Sequence, residues 1–190
     1  MDLLKRRIIE DGTELGTEVV KVDSFLNHQL DIGLFMAIGK EISRRFGHLG
    51  INKILTIESS GIGIAAITAL YFDLVPVVFA KKTQPNTMTE DFYGAEVKSF
   101  TKGTVSVARV SKQYLNPEDR VLIIDDFLAH GEAAMGLCSL VEQAGGTVCG
   151  IAAVIEKEFQ GGKKLRDAGY YVDSLAVITA IKDGQITFKD

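Results

Sequence analysis

The chain has 190 residues, 46% of them hydrophobic, with three prolines and no low-complexity tract, so one substantial core in a single domain is expected. A net charge of −4 and a pI near 5.4 argue against a nucleic-acid surface, which needs a basic stripe. No run of 18 or more apolar residues offers a membrane span, and Leu3-Leu4 precede Lys5-Arg6-Arg7, the reverse of a secretory leader, so the cytoplasm is the expected compartment.

Leu3 to Glu10 reads as a short helix closed by Asp11-Gly12. Asp31 to Phe46 reads as a longer one: Leu34, Ile38, Ile42 and Phe46 recur every four residues, while Lys40, Glu41, Arg44 and Arg45 take the other face. Lys53 to Ile57 predicts a strand, Gly61 to Tyr71 an apolar helix, and Val75 to Ala80 a second strand. A polar stretch runs from Lys81 to Asp91, and Val105 to Val110 alternates as a half-exposed strand does. Val121 to Ile124 is a strand of the kind buried on both faces, followed by a helix from Glu132 to Ala144 and a strand from Thr147 to Ile155. Asp183-Gly184, between short apolar runs, signals a closing hairpin. Cys138 and Cys149 lack metal spacing and fall in apolar patterns, so both are expected as buried reduced thiols. Strands alternating with helices imply an α/β fold, with a mostly parallel twisted sheet flanked by helices and ligands at the strands' C-terminal ends.

The segment Val121-Leu-Ile-Ile-Asp-Asp-Phe-Leu-Ala-His-Gly-Glu-Ala-Ala134 carries the chemistry. Asp125 and Asp126 stand at the end of a buried strand, and Ala129-His130-Gly131 opens a small-residue helix whose free N–H groups and dipole suit an anion. An acidic pair beside an anion cradle suits a ligand with hydroxyls, a divalent cation and phosphate. The ordinary alternative is helix capping, or magnesium binding in an unrelated nucleotide fold.

Strand, paired acids and small-residue loop resemble the phosphoribosyl-pyrophosphate loop of the type I phosphoribosyltransferases. That resemblance implies that Asp125 and Asp126 hold the ribose hydroxyls, and that Ala129, His130, Gly131, Glu132 and Ala133 wrap the 5′-phosphate. His130 stands where threonine or asparagine is usual, a departure that keeps the backbone donors. Glu58-Ser59-Ser60-Gly61 feeds a helix and reads on its own as a cap. The resemblance makes Ser59, Ser60 and Gly61 pyrophosphate contacts. Adjacent Lys81 and Lys82 read alone as solvated ammonium groups; the resemblance makes them the cations that meet the leaving pyrophosphate. The segment from there to about Lys102, with Ser99 to Thr101 and Gly103, matches the family's catalytic lid in position.

Val-Asp-Ser-Phe-Leu-Asn-His at 22–28, Ile57-Glu-Ser-Ser-Gly61, Phe79-Ala-Lys-Lys82 and Leu122 to Ala129 are similar to segments of the bacterial xanthine phosphoribosyltransferases, along almost the full length. This implies a small hood for the base, formed by the N- and C-terminal segments at about 1–30 and 156–190. Val20 and Asn27 would then line the base site and Lys157 would contact xanthine; Val20 is usually leucine there. From its chemistry, Phe25 offers a stacking face, although core packing explains Phe25 and Leu26 equally well, and a helix cap explains His28. The implied substrates are xanthine and phosphoribosyl pyrophosphate, with Mg²⁺ held mainly by substrate oxygens and water and no dedicated protein cage. A homodimer is expected, without nucleic-acid or membrane partners. Two alternatives stand beside this reading: a related transferase preferring guanine, hypoxanthine or adenine, and a regulator that senses phosphoribosyl pyrophosphate.

Overall fold

A computed structural model of the chain describes residues 1–15, 19–83, 91–99, 104–158, 161–182 and 185–189. In chain order the elements are α1 (Asp2–Asp11), β1 (Thr13–Leu15), β2 (Val19–Lys21), α2 (Ile32–Phe46), β3 (Lys53–Ile57), α3 (Ser60–Ala69), β4 (Val77–Ala80), β5 (Phe92–Ser99), β6 (Thr104–Ser111), β7 (Arg120–Leu128), α4 (Glu132–Gln143), β8 (Thr147–Lys157), α5 (Gly162–Asp167), β9 (Val172–Lys182) and β10 (Gln185–Phe188). Asp23–Asn27 forms a π-helical turn before α2.

Six strands make the central sheet in the order β10-β9-β8-β7-β3-β4, parallel except for β10. From β3 the chain moves outward to β4, then returns to β7 and moves outward the other way through β8 and β9. Right-handed crossovers in opposite directions place their helices on opposite faces. Accordingly α3 joins α1 and α2 over one core, with Ile64 and Ala65 packed near Ile54 and Leu122. On the other face α4 packs with the β5–β6 ribbon, bringing Leu137 and Val141 to Leu55 and Ile123. The order reverses between β3 and β7, the switch point where doubly wound sheets open a crevice beyond their carboxyl ends.

Local sequence explains the elements. Leu34, Ile38, Ile42 and Phe46 are all buried along α2, and Asp31 caps it by accepting from the Leu34 N–H at 3.0 Å. All of β3 is buried, including Lys53, whose ammonium is satisfied by Asp119 at 2.6 Å and the Tyr114 carbonyl at 2.8 Å. The terminal segments are tied together: the Met1 amine donates to the Leu175 carbonyl at 2.6 Å and Lys5 to the Lys189 carbonyl at 2.7 Å.

Several boundaries differ from the sequence expectation. The motif strand runs through the acid pair to Leu128, because Phe127 and Leu128 continue the ladder with Ile155 and Glu156. Beyond the polar stretch, Phe92–Ser99 pairs in register with Thr104–Ser111 as an antiparallel ribbon, a strand the sequence reading did not expect. Gln84–Glu90 and Phe100–Gly103, which hold most of the expected lid, lie outside the described residues, as does the Asp183-Gly184 turn. Cys138 is buried as expected, but Cys149 is only half-buried, since it stands on the partly open start of β8; both thiols are free.

Candidate active site

Two strand ends flank the switch point. Asp125 closes the buried part of β7 and is 5% exposed, with Asp126 partly exposed beside it. Burial pushes the Asp125 carboxyl well above the usual carboxylate range, and the neighbouring Asp126 adds to the effect. The Asp126 N–H donates to Asp125 Oδ1 at 3.1 Å, and this bond and the Lys82 ammonium pull the other way. Such a pair presents both an acceptor and a carboxyl disposed to keep its proton, which suits a vicinal diol or a shared cation.

Past Leu128 the chain turns through Gly131, whose φ of 75° belongs to the left-handed region. Gly131 is the N-cap of α4 and has no side chain to cap it, so the start of this helix offers backbone donors suited to an anion. The loop after β3 behaves alike. Ser59 is the N-cap of α3, yet its hydroxyl makes no capping bond, so the capping explanation of this serine pair does not hold. Gly61 is buried, and a Cβ there would lie 2.1 Å from Thr56 Oγ1, so a glycine is required for α3 to start this close to β3. Glu58 turns back to accept from the Lys82 N–H, linking the ends of β3 and β4.

The adjacent lysines separate. Lys82 is exposed and its charge acts on Asp125. Lys81 is held by mutual backbone bonds to Arg109, each 2.9 Å, and its ammonium lies 5.9 Å from the Phe79 ring centroid. The structure therefore brings Lys82 toward the acid pair, while Lys81 packs on the outer strand.

Lys157 ends β8 on the same side of the molecule. It is 7% exposed, with its ammonium 5.5 Å from the Phe127 ring centroid, so it is not a solvated lysine. Its acidic neighbours have partners of their own: Glu156 pairs with Arg166, and Glu158 with Lys189. Asn27 and His28 are exposed at the end of the π-helical turn, and the helix cap is Asp31 rather than His28.

Phe25 departs from its base-site expectation, while Val20 remains a candidate from within the core. Phe25 is fully buried in the core with Leu26, and the Arg7 guanidinium lies 5.4 Å from its ring centroid, so it offers no open stacking face. Val20 is 5% exposed and belongs to the same core. Three residues carry contacts that the sequence did not assign to them: Glu58, which ties two loops; Phe127, which lies against Lys157; and Arg166, which pairs with Glu156. Of these only Phe127 carried a local signal, as an aromatic directly after the acid pair.

Among the described residues no group of three or more His, Cys, Asp or Glu side chains converges on a metal position, so a cation at Asp125 and Asp126 would complete its shell from the ligand and water. A cavity of about 740 Å³ lies behind Glu156, between the N-terminus, α5 and β9. It does not include the acid pair, and the ion-paired residues Arg166, Glu156, Arg45 and Asp173 line it.

No protein-family model matches the chain. Full-length relatives do. The xanthine phosphoribosyltransferase of Ruminiclostridium cellulolyticum is 55% identical over 191 residues, covering all of both chains. That of Clostridium novyi is 56% identical over the same span, again covering all of both chains. The chain belongs to the xanthine phosphoribosyltransferase family. It is a transferase of that type, with the type I fold. The adenine phosphoribosyltransferase of Thermoanaerobacter pseudethanolicus matches with a TM-score of 0.76 at 22% identity, over 93% of this chain and 98% of that one. The Trypanosoma brucei enzyme, solved with AMP, pyrophosphate and ribose-5-phosphate, matches with a TM-score of 0.74 at 19% identity, over 92% of this chain and 78% of that one. At such identities the structural likeness speaks for the fold alone. No helix among the described residues is long and apolar enough to cross a membrane.

Proposed function

We propose that the chain transfers the phosphoribosyl group of phosphoribosyl pyrophosphate to xanthine, giving xanthosine 5′-monophosphate and pyrophosphate in purine salvage. The observation that carries this reading is the convergence at one switch point of Asp125 and Asp126, the uncapped start of α4, and the charge of Lys82. In the reaction the C1–O bond to pyrophosphate breaks, C1 bonds to the purine N9, and N9 loses its proton. Asp125 and Asp126 hold the ribose hydroxyls, and the backbone from Ala129 to Ala133 holds the 5′-phosphate, so the sugar is fixed while its ring gains positive charge. Ser59, Ser60 and the Gly61 backbone orient the pyrophosphate; Lys82, with Lys81 behind it, meets the charge that develops as it leaves. Mg²⁺ brought with the donor, held beside Asp125 and Asp126, would supply further neutralisation of that charge.

Lys157 and Asn27 read the base. Xanthine differs from hypoxanthine by a 2-oxo group and is a more acidic ring, and a nearly buried ammonium favours both. Val20 supports this site from the core. The protein works in the cytoplasm as a homodimer, for which exposed Ile32 and Met36 at the start of α2 and a mean hydropathy of +0.16 argue. The test is turnover of purified protein with labelled donor and adenine, guanine, hypoxanthine, xanthine or orotate in turn. Xanthine should give the highest kcat/KM, and a preference for any other base would overturn the assignment. Binding to promoter DNA on filters, without transfer activity, would favour the regulator instead.

A further inference from the structure

The short helix α5 touches both halves of the site without reaching either ligand position. Arg166 grips Glu156 with two bonds, Nη1 to Oε1 at 2.7 Å and Nη2 to Oε2 at 2.8 Å, and the Ser174 hydroxyl donates to the same carboxylate. Glu156 is 2% exposed and immediately precedes Lys157 on β8. Successive strand residues point to opposite faces, so fixing Glu156 fixes the plane from which the Lys157 side chain leaves. Burial alone would raise the Glu156 carboxyl, but Arg166 and Ser174 outweigh it and hold it below its ordinary range. Two residues earlier, Lys164 pairs with Glu132 at 2.6 Å, and Glu132 is the first residue of α4 in the phosphate loop.

Two glycines set this helix in place. A Cβ on Gly161 would lie 1.8 Å from the Ala129 carbonyl oxygen, so the backbone of α5's entry rests directly on the phosphate loop. A Cβ on Gly162 would lie 1.8 Å from Glu156 Oε1, inside the ion pair. Glu156 is buried but Arg166 is exposed, so solvent screens the pair as a stabiliser of the fold; the guanidinium fork still fixes the carboxylate's orientation.

We propose that α5 is a bracket between the two half-sites: Arg166 is a positioning residue for Lys157 through Glu156, and Lys164 is a positioning residue for the phosphate loop through Glu132. The proposal rests on the functional reading above, in which Lys157 meets the base and the loop meets the 5′-phosphate.

Steady-state kinetics of the full chain separate the two arms. Arg166→Lys keeps the charge and loses the fork; it should raise the KM for xanthine about threefold to thirtyfold while leaving that for phosphoribosyl pyrophosphate within about twofold. Lys164→Met should do the reverse. The xanthine-to-hypoxanthine ratio of kcat/KM should fall in Arg166→Lys, and adding this change to Lys157→Ala should produce no further fall, because the first acts through the second. An unchanged ratio, with both bases losing kcat equally, makes Arg166 a structural residue and overturns the proposal. Failure of the functional reading looks different: Lys157→Ala itself would leave the ratio unchanged. Should Arg166→Lys not fold, Ser174→Ala removes the other bond to Glu156 with the ion pair intact, and the same ratio then decides.

Discussion

Lys157 and Phe127 meet across neighbouring strands, the ammonium 5.5 Å from the ring centroid, so the end of β8 is fixed to the residue that follows the acid pair on β7. A cation over an aromatic face gains electrostatically from the ring quadrupole, and more so when shielded from water, as Lys157 is at 7% exposure. The ends of β7 and β8 are thereby held together by side chains as well as by their ladder.

Lys157→Ala should leave use of the donor nearly intact and weaken catalysis with xanthine by about 1.5–3 kcal/mol, roughly 10- to 150-fold in kcat/KM. Hypoxanthine lacks the 2-oxo group, so its turnover should fall less. General loss of stability cancels between the two bases, and equal losses would remove Lys157 from base selection and leave Asn27 as the main candidate.

Asp126→Asn should damage use of the donor far more than folding. The side chain is partly exposed, so its stability should change by no more than about 0.5 kcal/mol in urea titration. Activity surviving within a few-fold would make the acid pair structural.

Asp125→Asn should stabilise the protein while abolishing efficient donor use. Folding raises the Asp125 carboxyl, so the native state holds that proton more tightly than the unfolded chain, and stability drains away as pH rises above the ordinary carboxylate range. The variant and parent should therefore melt alike near pH 4, about the unfolded carboxylate value, and diverge in the variant's favour toward neutrality, by ~2–4 °C for each kcal/mol relieved. A parent that melts higher at neutral pH would refute the burial argument.

Gly61→Ala should cost about 1–3 kcal/mol through overpacking, because the new Cβ meets Thr56 Oγ1 at 2.1 Å on a fully buried strand. Adding Thr56→Ala should return most of that loss. Urea midpoints that do not move in the single variant would show that α3 can slide away from β3.

Light scattering at micromolar concentration should give twice the 20.7 kDa chain mass. A lone species at 20.7 kDa would exclude the dimer.

How much of this was legible depended on locality. The boundaries of β3 and the buried face of α2 follow from runs and spacings within a few residues, and the acid pair with its Gly131 turn from one contiguous motif. By contrast β5 has Val97 as the one buried apolar residue among its described side chains, and its strand character comes from pairing with β6. The six-residue α5, begun on two glycines and rich in charge, is too short for periodicity to register, and its role depends on partners ten and 32 residues away. Phe25 shows the other limit. Its aromatic ring suited a base as well as a core, and its complete burial in the core with Leu26 comes from tertiary packing that local sequence does not display.

The two outer strands of the sheet have a further consequence, for how copies of the chain can associate. Exposed strand edges are templates for another chain to add to. β4 has four residues, and just beyond it Lys81 is already paired with Arg109 of the ribbon. β10 also has four residues, breaks register between Thr187 and Phe188, and is followed by Lys189. Neither border gives an incoming strand a long, flat, uncharged partner, so the sheet is closed to growth by extension. These borders disfavour edge-to-edge polymerisation of the central sheet without closing it into a barrel.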